Sequence, residues 1–180
     1  MASDTAPLDT RPEHPDHVAA TGDALRETLR HVASPVVVVT MQTDDGPRGA
    51  TIGSFASVSL DPPLVSFNVT HDTRLHDALD ATDELAIHLL TADQADVATQ
   101  FAIPDLPGAD QLAPFPHTRS ADRPPLLDDV QATLLSSVSA RFDAGDHTLV
   151  LAAVREIRPG RDAEPLLYFD RSYRGIGSPV

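Results

Sequence analysis

The sequence predicts a mainly β chain: a closed antiparallel β-barrel with flanking helices. Strand-like runs, β-branched or alternating, recur along most of its length, while helical periodicity is confined to short stretches. The strand runs are joined locally, through turns marked by Asp-Gly, Pro-Pro and Gly-Asp.

Residues 1–22 are rich in Pro, Asp, Thr and His and carry no periodicity, so they read as an N-terminal tail, with His14 and His17 as a solvated pair rather than metal ligands. A single domain then spans 23–180. Leu25, Leu29 and Val32 recur at helical spacing behind a cap at Asp23, and that helix must stop before Pro35. Residues 36–41, with four consecutive valines, read as a buried strand entering a hairpin at Asp44-Asp45-Gly46-Pro47. Its partner is the small-residue run from Gly49, read as one strand to Leu60 and stopped by Asp61-Pro62-Pro63. A strand over 64–69, a helix over 73–79 capped near Asp72, a strand over 85–90 and a helix over 92–101 with Val97 and Phe101 inward follow. Residues 103–125 hold six prolines and read as a long loop, a lid or site wall. Strands over 132–142, 149–157 and 166–169 close the chain, the first two turning at Gly145-Asp146.

Composition removes several classes of function. The 180 residues contain no cysteine, so disulfides, thiolate chemistry and Cys-based metal clusters are out, and any redox role needs a bound cofactor. No apolar run is long enough to span a bilayer and no basic-then-apolar leader opens the sequence, so the expectation is a cytoplasmic protein without membrane association. The formal net charge is −14 and all 13 basic residues are arginine, scattered among acids, which excludes nucleic acid as a partner. Strong acidity without lysine points to adaptation to high salt, where mutual carboxylate repulsion is screened. A GC-rich codon bias also trades Lys for Arg but does not account for so large a charge. There is no Gly-x-Gly-x-x-Gly turn, P-loop, nucleophile elbow or His-Glu-x-x-His helix.

The run Gly49-Ala50-Thr51-Ile52-Gly53-Ser54 to Ser57-Val58-Ser59 is poor in side-chain bulk, so a planar ligand can approach its backbone. Thr73 and Arg74 open a helix where hydroxyl, free N–H groups and guanidinium suit a phosphate, unless Asp72 faces the site and repels it. His147 follows a glycine turn. Adjacent strand side chains point to opposite faces, so no pairing with Asp146 is implied. Tyr168, Arg171 and Tyr173 either stack on and pair with a ligand or close the barrel.

Four strings occur in order: Ser57-Val58-Ser59-Leu60-Asp61-Pro62-Pro63, Gln94 with Phe101-Ala102, Gly145-Asp146-His147-Thr148, and Pro165-Leu166-Leu167-Tyr168 through Tyr173-Arg174. Together they resemble the flavin reductase-like family over roughly residues 25–174. The resemblance implies an FMN-binding split barrel of Greek-key type, usually a homodimer, binding FMN or FAD with NADH or NADPH as co-substrate. It implies that Thr51, Ile52, Gly53, Ser54, Ser57, Val58 and Ser59 lie along the flavin, that Thr73 and Arg74 meet its phosphate, and that Phe101 belongs to a characteristic helix. It implies that His147 lines the flavin and nicotinamide pocket as the catalytic-site residue, and that Tyr168, Arg171 and Tyr173 meet the second ligand. The chain departs from the family at Ile52 and Gly53, and at Arg171, near which relatives carry glycine. The reading is an NAD(P)H:flavin oxidoreductase, possible partner of a monooxygenase that receives reduced flavin. The alternatives are a flavin- or haem-binding split-barrel module without nicotinamide turnover, motivated by Ile52 and Arg171, and an oxidase of the pyridoxamine-phosphate type.

Salt adaptation has a direct consequence for stability: Tm by thermal scan is expected to be higher in molar KCl than in dilute buffer, and a flat profile would refute it.

Overall fold

Val36, Val37, Val38 and Val39 are all buried, none more than 3% exposed, and this double-sided burial organises the fold. The computed structural model describes residues 19–178; of the expected N-terminal tail, residues 1–18, with His14 and His17, lie outside the described residues. Helix α1 (Gly22–Leu29) is capped by Thr21, whose hydroxyl accepts the Ala24 N–H at 3.2 Å. Asp23 falls in the first turn instead, because Thr21 is the residue with extended backbone. The expected apolar face stays outside: Leu25, Leu29 and Val32 are 57%, 51% and 54% exposed. Its polar side is fastened instead, with Glu27 3.0 Å from Arg171 and Arg30 3.1 Å from Asp170.

The strands β1 (Ser34–Pro35), β2 (Val37–Thr43), β3 (Gly46–Ile52), β4 (Ala56–Leu60) and β5 (Pro63–Thr70) follow. The small-residue run is therefore two strands, not one. Gly53-Ser54-Phe55 interrupts it. Helix α2 (Arg74–Ala81) is capped by Thr73 rather than Asp72. Strand β6 (Glu84–Leu89) precedes α3 (Ala95–Phe101), which begins later than expected because Thr91 and Gln94 form a hydrogen-bonded turn. The proline-rich stretch is not a bare loop. It holds α4 (Gly108–Leu112) and β7 (His117–Thr118), which pairs with β8 (Leu126–Leu127). Elements this short give no periodicity to read; Leu112 is buried only because tertiary packing covers it. Long strands β9 (Ala132–Ala144) and β10 (His147–Pro159) meet at the Gly145-Asp146 turn, with Gly145 at φ 69°. The short β11 (Leu167–Phe169) and β12 (Ser172–Arg174) join β1 in a small sheet.

The main sheet is antiparallel, in the order β3-β2-β6-β9-β10-β5-β4. β3 and β4, neighbours in sequence, are its two edges. The sheet curls around one core made of Val37, Val39 and Met41 from β2, Val65, Phe67 and Val69 from β5, Leu85 and Ile87 from β6, and Leu75 and Leu79 from α2. Val36 and Val38 face the other way, into a second cluster with Val97, Phe101, Leu112 and Leu166. A strand covered on both faces reads as a continuous apolar run, whereas β5, covered on one, alternates. Burying each valine contributes about 2 kcal/mol, against roughly 0–1 kcal/mol for an exposed ion pair. Packing of β2 therefore sets the architecture, and the surface pairs adjust it.

On the outer face, Thr40 donates to the Pro125 carbonyl at 2.6 Å, so its oxygen accepts from His88 Nε2 at 3.1 Å; His88 Nδ1 then accepts from Thr133 at 3.1 Å. This chain bolts the proline-rich segment to β2, β6 and β9. Desolvation lowers the His88 pKa from 6.5 to about 4, outweighing the nearby Pro125 carbonyl, which raises it. The unfolded chain thus binds the proton first on acidification, so stability present above pH 6.5 is lost as the pH falls toward 4, by about 3 kcal/mol in all. Urea unfolding at pH 7 and pH 4.5 is expected to show this loss and to show a smaller one in His88→Gln; equal slopes would refute it.

Candidate functional site

The interruption at Gly53-Ser54-Phe55 leads the chain from one edge of the sheet to the other, across a seam. Ser54 Oγ accepts the Asn68 N–H of β5 at 2.9 Å, the hydrogen bond that spans it. Beside the seam lies a cavity of about 500 Å³, within the ordinary range for ligand pockets. Its floor is β3, from Arg48 to Ile52, with Gly53 and Ser54. Its sides are Asn68 to Thr70, Asp72 to Leu75 and His147, and its far wall is Phe101 to Leu106 with Gln111.

Two glycines dock the far wall. A Cβ on Gly49 would strike the Phe101 ring at 2.5 Å, and one on Gly108 would collide with the Pro47 carbonyl. Thr51 adds a hydroxyl bond to the Ala98 carbonyl at 2.6 Å. Gly53 is different: a Cβ there meets nothing nearer than Ser34 at 4.0 Å. A side chain there would meet Ser34 at no more than ordinary contact distance, so no close approach requires the glycine, which itself lines the cavity.

At the other end, His147 Nδ1 lies 2.7 Å from the Asp146 carboxylate and Nε2 lies 3.2 Å from Thr70 Oγ1. In the neutral ring Nδ1–H donates to Asp146 and Nε2 accepts from Thr70. The pairing that strand geometry disfavoured forms because Asp146 belongs to the turn, free of the strand's alternation. The His147 hydrogen bond holds the Asp146 carboxyl below the usual carboxylate range, so this anchor survives mild acidification. Thr73 donates to the Thr70 carbonyl at 2.8 Å and accepts the His76 N–H at 3.3 Å, so its hydroxyl serves the helix cap. Arg74 and Asp72 both line the cavity, which places a carboxylate beside the expected anion site. His76 reaches Thr148 at 3.1 Å and packs near His71 at a ring separation of 5.0 Å, and neither ring lines the cavity.

Of the expected site residues, Thr51, Ile52, Gly53, Ser54, Thr73, Arg74, Phe101 and His147 line this cavity. Ser57, Val58 and Ser59 do not: they sit on edge strand β4, bulged between Ser57 and Ser59, with Val58 52% exposed. Tyr168 and Tyr173 stack edge-on at 5.4 Å in the small sheet, away from the cavity lining, and Tyr173 packs on the second core. Arg171, at φ 60° in the β11–β12 turn, holds Glu27 of α1. Thr70, expected within the phosphate-contacting turn that the resemblance implies over residues 70–74, lines the cavity and holds His147. Two groups went unread: Arg48 borders the small-residue run, and Gln111 lies in the stretch taken for a loop and carries no sequence signal.

A family sequence model, the Flavin reductase like domain, matches residues 29–177. The chain belongs to the flavin reductase-like family. It is 37% identical to an NADH:FMN oxidoreductase of Rhodococcus qingshengii, over 91% of this chain and 90% of that one. It is 31% identical to the reductase component of 4-hydroxyphenylacetate 3-monooxygenase of Thermus thermophilus, over 87% and 98%. Among solved structures, an NADH:FAD oxidoreductase of Streptomyces globisporus C-1027, in complex with NAD and FAD fragments, superposes with a TM-score of 0.77 at 30% identity, covering 85% of this chain and 91% of that one. The mainly β split-barrel fold of the flavin reductase-like family is thus the fold of this chain. Two departures from the family pattern lose their force in the structure. Ile52 is 7% exposed and packs into the main core, so its bulk lies largely inside the barrel. Arg171 occupies a left-handed turn position, where glycine is the commoner choice for backbone reasons, and it points to α1.

The two glycines of the seam are expected to respond differently. Gly49→Ala costs about 1–3 kcal/mol through the clash with Phe101, and Gly53→Ala stays within about 0.5 kcal/mol of the parent, both read by urea unfolding. Equal losses would show that Gly53 is structural.

Proposed function

We propose that the protein is an NAD(P)H-dependent flavin reductase that binds FMN or FAD in the seam cavity and supplies reduced flavin to a monooxygenase. The observation that carries this reading is a cavity of about 500 Å³ lined by the small-residue run from Gly49 to Ser54, inside a chain of the flavin reductase-like family. The residues fit a flavin: a flat ring can approach the β3 backbone there, and the buried Gln111 amide faces the same cavity. Bound flavin supplies the acceptor for the hydride that a nicotinamide donates, chemistry that no side chain of this cysteine-free protein offers.

The chain's own residues then position rather than react. Phe101, 2% exposed, forms a rigid apolar wall held by Gly49. Arg48 and Arg74, which make no ion pair with any described residue, provide the positive charge for a phosphate, with Arg74 working against neighbouring Asp72. His147, fixed by Asp146 and Thr70, orients the second ligand at the mouth, since hydride transfer needs stacking and distance more than a base. The residues from Ile103 to Leu106 form the far end of the cavity lining.

Relatives named as the reductase subunit or reductase component of a monooxygenase support the monooxygenase partner. A homodimer and a cytoplasmic location complete the proposal; no helix among the described residues is long and apolar enough to cross a membrane. Nothing now favours a module without nicotinamide turnover, since its two motives, Ile52 and Arg171, are accounted for by core packing and by α1.

Following NADH absorbance with FMN or FAD added is expected to show flavin-dependent oxidation; a protein that binds flavin yet oxidises neither NADH nor NADPH would overturn the reading. In His147→Ala the KM for the nicotinamide is expected to rise on the order of ten-fold, with a smaller change for flavin. Equal changes would refute the role given to His147.

A further inference from the structure

One buried polar side chain on the cavity wall makes no hydrogen bond with the described protein. Gln111 is only 4% exposed and lines the cavity, yet its side-chain amide makes no hydrogen bond with any described residue. A primary amide presents two donors and one carbonyl acceptor, and those of Gln111 are not sealed away from solvent, so they are available to a ligand in the cavity. Several other polar groups on the lining are engaged: the Thr51 hydroxyl on Ala98, Ser54 with the Asn68 backbone, Thr73 in the α2 cap and His147 between Asp146 and Thr70. The Asn68 side chain, which makes no hydrogen bond with any described residue, is exposed rather than buried.

Gln111 also stands on a rigid base. Gly108, three residues earlier and so on the same helical face, presses α4 onto the Pro47 carbonyl of β3, and Leu112 is sunk in the second core at 2% exposure. The amide is therefore held beside the edge strand that floors the cavity, as a recognition group must be.

We propose, on the basis of the flavin reading above, that Gln111 recognises the imide edge of the flavin pyrimidine ring. Its carbonyl accepts the ring imide N–H and its amino group donates to an adjacent ring carbonyl. An uncharged group with both donor and acceptor matches an edge with both. A phosphate offers acceptors alone and is served by Arg48 and Arg74, and the benzenoid edge offers neither. Gln111 is thus a positioning residue that fixes the ring's orientation over β3 and selects ligands bearing a free imide.

The test compares FMN with N3-methyl-FMN, which lacks the imide N–H, by fluorescence titration of the full chain. The parent protein is expected to prefer FMN on the order of ten-fold, and Gln111→Met to bind both with the parent's weaker affinity for the methylated ligand. Thermal unfolding without ligand is expected to give Gln111→Met a Tm no lower than the parent, because the amide has no protein partner to lose. Gln111→Leu repeats both measurements should the methionine variant not fold. Retained preference for FMN in the variants overturns the proposal, as does a lowered ligand-free Tm that tracks the lost affinity, or unchanged FMN affinity with a raised KM for NADH. Failure of the parent to bind FMN at all overturns the flavin reading itself, and this inference with it.

Discussion

Burial of β2 on both faces is the constraint on which the rest of the structure depends. With Val37, Val39 and Met41 turned into the barrel and Val36 and Val38 turned toward α3, α4 and Leu166, the strand can neither slip nor reach an edge. Its hydrogen-bonding sides are taken by β3 and β6. That leaves β3 with one free edge, and the chain must leave it to find another partner. It does so at Gly53-Ser54-Phe55, crossing to pair β4 with β5 at the far end of the sheet. The split in the barrel follows from this crossing, and the cavity follows from the split.

The cavity shows how a small protein makes a site from backbone and borrowed walls. Side chains that looked like ligand donors are used to build the walls instead: Thr51 ties β3 to α3, and Thr73 caps α2. Glycine is required here for close packing: the glycines at 49 and 108 bring helices against the floor, whereas Gly53 on the cavity lining meets no such close contact. The polar groups on the lining are few, and Gln111 on α4 shares it with His147, Arg48 and Arg74, far apart in the sequence.

The strand pattern was legible because burial writes itself into sequence at the period of the element. The alternation of Val65, Phe67 and Val69 and the unbroken valines of β2 are direct records of one-sided and two-sided cover. The α1 stripe misled for the converse reason: Leu25, Leu29 and Val32 have the spacing of a packed face, yet the helix is fastened through Glu27 and Arg30 on another side. The β4 serines and the C-terminal tyrosines shared motifs with the site but not its space, since strand order and the β1–β11–β12 sheet carry them elsewhere.

Taken alone, the sequence determined that this is a mainly β protein and that it has no thiol chemistry, and it singled out a small-residue segment and a histidine after the Gly145-Asp146 turn, both of which reach one cavity. These are local properties, set by side-chain volume, backbone preference and the chemical inventory. Tertiary structure decided which edges meet at the seam, that Asp146 orients His147, and that an amide from a one-turn helix in a proline-rich stretch faces the cavity. Those outcomes depend on contacts between residues far apart in the chain, whose energies come from packing that no single segment encodes.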